Sequence, residues 1–197
     1  QPAMAQDVEL MPPPPLDPAQ VRGVMEKAVN GFIRPGYDHF RRSAETLEDS
    51  MKAFCAAPSA TTEKTAKDAF ADTVSSWSTI EIVRVGPVIE QNRFERVLYY
   101  PDKKGLGLKQ VQRYLSDKDE SVTTAEGLSG KSVAAQGLGA LEFILYGTGA
   151  DELLGKKGDF RCRFGAAIAG NIADVAAELS DSWNAADGAK KNWTQPG

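Results

Sequence analysis

Apolar residues recur every three or four positions along most of this chain. The cleanest run is the last, where Phe164, Ile168, Ile172, Val175, Leu179 and Trp183 predict a helix over about 159–186. Tyr37, Phe40, Ala44, Leu47, Met51 and Phe54 predict another, closed by Pro58-Ser59. Upstream of it, Asp17 reads as an N-cap, with Pro18 at the first helical position, Gln20 completing a capping box and Leu16 stapled onto Val21. Val21, Met25, Ala28 and Phe32 then form an inner stripe, and Pro35-Gly36 interrupts it, so this region is expected to be a kinked or broken pair of helices. A third helix is expected over about 62–85, ended by Gly86-Pro87. Shorter helices are expected at 106–116 and 121–128, with a central one at 131–147. No stretch alternates as a strand would, so the fold class is all-α, an up-and-down helical bundle.

Two of these helices carry charge where the pattern asks for hydrophobes. On a wheel of Lys131–Gly147, Glu142 shares a stripe with Ala135, Leu138 and Leu145 and is expected to face the interior. Glu81 and Arg84 likewise continue the stripe of Phe70, Val74 and Trp77. A buried charge must find a partner or neutralise, and departures of this kind cluster at functional sites. Two arrangements follow. In one, Arg84 forks onto Glu142 or Glu81 as a buried ion pair; in the other, Glu142 and Glu81 offer oxygen ligands to iron or another divalent cation. Gly137 and Gly139, placed inside the central helix beside Gln136, would let a second helix or a ligand approach the backbone. Tyr99-Tyr100 either border a pocket or plug the bundle.

These segments resemble the imelysin family, the metallopeptidases and iron-regulated proteins of bacterial envelopes. The resemblance rests on Trp77, Arg84, Gly86 and Pro87, and on Gly137-Leu138-Gly139-Ala140-Leu141-Glu142, which matches a Gly-x-His-x-x-Glu signature except that Gly139 replaces the histidine. Phe54–Ser59 and Arg161–Phe164 add secondary matches. The resemblance implies a helical bundle at 17–188, the first of two, an envelope setting and a link to iron uptake. It names Trp77, Glu81, Arg84, Gly86, Pro87, Gln136, Gly137, Gly139 and Glu142 as signature or ligand-binding positions. A peptidase needs several metal ligands and a base. With Gly139 in place, the sole histidine is His39, on the polar side of its helix. The expectation is a non-peptidase that binds a ligand, a metal or an envelope protein. The alternatives are a metallopeptidase completed by a second half and a structural domain with a degenerate site.

Composition changes this picture little. The 197 residues, 42% hydrophobic and 25% charged, suit one sizeable core. A net charge of −4 gives no electrostatic case for nucleic acid, and no run approaches the ~20 apolar residues of a membrane span. Phosphate loops, nucleophile elbows and Cys-x-x-Cys pairs are absent. Gln1–Ala5 resemble the end of a secretory signal peptide, with small residues at Ala3 and Ala5, and 1–16 as a whole read as that remnant plus a proline-rich lead-in. An oxidising periplasm or cell envelope would let Cys55 and Cys162 form a disulfide; two buried thiols are the other possibility. Residues 189–197 read as a tail or linker.

Overall fold

The computed structural model describes residues 15–194, so the leader-like segment and the end of the tail lie outside it. Asp17 caps α1 (Pro18–Ala28) by accepting a bond from the Ala19 N–H at 3.0 Å. The break expected at Pro35-Gly36 does not occur. A π-helical turn, Val29–Ile33, joins α1 directly to α2 (Arg34–Ala56), with the Arg34 N–H reaching back five residues to the Val29 carbonyl. The wider turn sits just before Pro35, the residue that lacks a backbone donor, and the chain stays helical through it. The stripe expected on α1 is not a full core stripe either: Met25 and Ala28 are half-buried, while Val21 and Phe32 are exposed, as is Leu16, the expected staple.

The frame is made by α2, α3 (Ala60–Ile80) and α8 (Asp159–Asn184), with α2 packed between the other two. The six stripe residues of α2 and the six of α8 are all buried, as their spacing predicts. Ser59 and Thr62 form a reciprocal capping box at the start of α3. Cys55, near the end of α2, is bonded to Cys162 in the first turn of α8, the disulfide rather than the two-thiol arrangement. After α8 the chain is not a featureless tail: α9 (Ala189–Thr194) packs Trp193 against Trp183. Among the described residues there is no strand, and no helix is long and apolar enough to cross a membrane.

Short elements fill the stretch between α3 and α8, namely α4 (Arg93–Val97), α5 (Leu106–Asp117), α6 (Ala125–Ser129) and α7 (Leu138–Tyr146). Two buried guanidinium groups hold them. Arg93 donates to Glu178 of α8 at 2.7 Å and to the Pro87 carbonyl at 3.0 Å. Arg161, also on α8, donates to the carbonyls of Phe143, Ile144 and Thr148 at the end of α7. The Phe143 carbonyl also accepts the Gly147 N–H, whereas Ile144 in the last turn and Thr148 just beyond it offer carbonyls with no backbone donor, so a cation there serves both the hydrogen-bonding need and the helix dipole.

The outer face of α8 carries an acidic patch. Burial, and then the neighbouring Glu48 and Glu178, push the Asp174 carboxyl above its usual range, against the pull of Arg96 and Lys52. The folded state therefore holds this proton more tightly than the unfolded chain. Its contribution to stability is present in full below the unfolded carboxylate range and is lost as pH rises through the raised folded value. Asp174→Asn is accordingly expected to raise the denaturation midpoint at neutral pH and to change it little in acid, which urea titrations at the two pH values measure.

Candidate functional site

The central stretch is not one long helix. Val133–Ala135 form a 3-10 turn, Gly137 is the N-cap, and α7 begins only at Leu138. Leu138, Ala140, Leu141, Ile144 and Leu145 make its buried face, centred between Leu141 and Ile144. That puts Gly139, Glu142 and Tyr146 together on the outer side. Glu142 is therefore exposed, not buried as the wheel over 131–147 suggests.

Glu81 and Arg84 are displaced in the same way. Because α3 stops at Ile80, Glu81 is its half-buried C-cap and Arg84 lies in the turn beyond it, exposed. The guanidinium of Arg84 rests on the Phe94 ring, 4.4 Å from its centroid. No carboxylate lies within 4 Å of it among the described residues, so the expected buried pairs Arg84–Glu142 and Arg84–Glu81 do not form. The helical stripe that joined these residues on paper ends where the helix does.

What the fold builds instead is a partly enclosed hollow of about 210 Å³ beside α7. Gly139, Ala140, Glu142 and Phe143 line one side of it, with Leu98, Tyr99, Tyr100 and Asp102 opposite. Tyr99 and Tyr100 thus border a pocket. Asp102 is committed elsewhere, since its carboxylate accepts the backbone N–H groups of Leu106, Gly107 and Leu108 at the start of α5. This role has no signal in the sequence beyond Asp102 itself.

The remaining signature residues hold the walls. Trp77 is buried between Phe40 and Phe94, a core side chain. Gly86 has a positive φ of 67°, and a Cβ there would press on the Trp183 ring. Pro87 is buried and its carbonyl receives Arg93. Gln136 is buried, accepts from Arg96 and donates to the Ser129 and Lys131 carbonyls, while its own carbonyl accepts from Asn171 of α8. Arg96 also donates to Asn171, closing a network that sequence spacing did not reveal.

A metal fits these residues poorly. Within the hollow, Glu142 is the only acidic side chain with free oxygens, and Glu81 does not line it. His39 lines a different hollow, between α2 and α3, with Arg42 and Asp72. Among the described residues no three His, Cys, Asp or Glu side chains come together as a metal-binding group.

The two glycines separate cleanly. A Cβ on Gly137 would overlap the Val97 and Arg96 carbonyls, so this glycine is required by close backbone approach. A Cβ on Gly139 meets nothing within 4 Å and points into open space. Gly139→Ala is expected to be neutral or to stabilise by up to about 1 kcal/mol. Gly137→Ala should cost about 2 kcal/mol or more, by overpacking. Denaturant midpoints of the two variants check the contrast.

Comparison with known proteins agrees with this architecture. A crystal structure of an imelysin-like protein from Psychrobacter arcticum 273-4 matches with a TM-score of 0.75 at 20% identity, over 90% of this chain and 52% of that one. This chain thus spans about half the length of that protein, and the likeness is one of fold. No curated protein matches it. The Peptidase M75 family model, described as Imelysin, matches residues 33–196. With a bundle of that shape and most of its length under that model, the chain belongs to the imelysin family.

Proposed function

We propose that this chain is a non-peptidase binding protein of the bacterial periplasm or envelope, linked to iron uptake, and that the hollow between α7 and Tyr99-Tyr100 takes its ligand. The observation that carries the reading is Gly139. At the signature histidine position it presents no donor, and the space a side chain would occupy opens onto the hollow beside Glu142. A hydrolytic metal centre needs three or more protein ligands and a base, and this wall supplies one carboxylate. The Cys55–Cys162 bond supports the envelope setting, because such bonds persist in oxidising compartments. The iron link rests on family membership.

The test is titration of the purified chain with ferrous, ferric, zinc and copper ions and with small polar ligands, followed by NMR, beside a peptide-cleavage assay. Perturbation of α7 and Tyr99-Tyr100 that disappears in Glu142→Ala is the expected outcome, with no cleavage. Peptide hydrolysis abolished by a chelator would instead establish a metallopeptidase.

A further inference from the structure

A second hollow, of about 430 Å³, adjoins the first and shares Leu98, Tyr99 and Tyr100 with it. Its polar members are Arg84, Asn92 and Glu95. Arg84 lies over the ring of Phe94, which itself packs on Trp77 at a centroid distance of 5.3 Å, so the guanidinium sits at the surface end of an aromatic column rooted in the core. Neither Arg84 nor the Asn92 amide makes a side-chain hydrogen bond or ion pair within the described residues. Asn92 is put there by an unusual backbone: Gln91 and Asn92 both have positive φ, 53° and 54°, a conformation that side chains other than glycine seldom adopt. Arg93 clamps this turn by donating to the Gln91 side chain, the Pro87 carbonyl and Glu178. Such backbone persists where surrounding contacts over-determine it, and it concentrates at binding sites.

We propose that this second hollow binds a carboxylate carried on an aromatic or apolar body. The planar guanidinium offers two parallel N–H donors, the geometry a carboxylate accepts. Asn92 adds an amide donor, and Tyr99, Tyr100, Ile89 and Leu98 provide surface for the apolar part. Glu95 on the same wall opposes multiply charged anions, so a phosphate is a poor occupant. The site stands on residues separate from Gly139 and Glu142 and extends the binding-protein reading without depending on it.

The experiment compares cinnamate, as a free acid, with N-acetyl-glycyl-phenylalanine, as a peptide C-terminus, each beside its amide and beside inorganic phosphate. Binding is read by calorimetry and by NMR shifts at Asn92 and Glu95, which line this hollow and not the first. One or both acids should bind saturably, with the amides about tenfold weaker. Arg84→Gln should lose about tenfold, Arg84→Lys less, and Asn92→Gly a smaller factor, since glycine keeps the backbone and removes only the amide. Glu142→Ala should leave this binding unchanged, which separates its failure from failure of the α7 site. Amides binding as well as acids, phosphate binding better than either, or an Arg84→Gln variant of unchanged affinity and melting temperature would each overturn the proposal.

Discussion

The double variant Cys55→Ala/Cys162→Ala is expected to unfold with about 4–5 kcal/mol less free energy than the parent, a fall in melting temperature of roughly 10–15 °C. The bridge spans 107 residues of sequence, and constraining so long a loop removes conformational freedom chiefly from the unfolded chain. It also ties the last turn of α2 to the first turn of α8, the two helices that contribute the largest shares of the core. Alanine is the right replacement because Cys162 is 3% exposed, and a buried hydroxyl would add an unrelated penalty. Because the effect acts through the unfolded state, the NMR spectrum of the folded variant should change only near the bridge. Chemical denaturation of parent, reduced parent and variant measures it. A loss below ~1 kcal/mol would mean that the unfolded chain already keeps these two ends together.

Arg161→Met should cost about 2 kcal/mol, on the reasoning that the Ile144 and Thr148 carbonyls at the end of α7 lose their donor at about 1 kcal/mol each, while Phe143 keeps the Gly147 N–H. Arg161 is 7% exposed, its guanidinium donates to Phe143, Ile144 and Thr148 at 2.6–2.9 Å, and burial pushes its pKa below the usual arginine range. No carboxylate lies within 4 Å of it among the described residues, so the carbonyls at the end of α7, helped by the more distant charges of Glu152 and Asp151, offset its desolvation. Methionine preserves the apolar stem while removing every donor. Arg161→Lys keeps a charge but not the fork, and should fall between. Urea denaturation gives the loss. Hydrogen exchange should locate the loosening in α7, the helix that carries Gly139 and Glu142. A methionine variant within ~0.5 kcal/mol of the parent would show that water replaces the clamp.

The main helices were legible because their signal is local. Six residues at helical spacing on α2 and six on α8 each need one buried face, and no tertiary detail alters that need. Gly139 was legible too, as a missing side chain at a signature position. The errors came where a helical wheel was drawn across a boundary. Counting Glu81 and Arg84 with α3, and Ala135 with α7, assumed helices that end at Ile80 and start at Leu138. Pro35 misled for another reason: a π turn carries the helix through it without a break, and spacing cannot show that.

The long helices α2, α3 and α8, the buried stripes of α2 and α8 and the loss of the signature histidine were thus determined by the amino-acid sequence alone, since each depends on residue type and short-range period. Only the tertiary structure decided that Glu142 and Arg84 face two neighbouring hollows and form no ion pair, that Gly137 rather than Gly139 is demanded by packing, and that Arg161 holds α7. Those outcomes depend on where helices stop and which backbone atoms from distant segments meet there. Such meetings are set by the packing of the whole chain, to which a residue's own neighbours in sequence carry no guide.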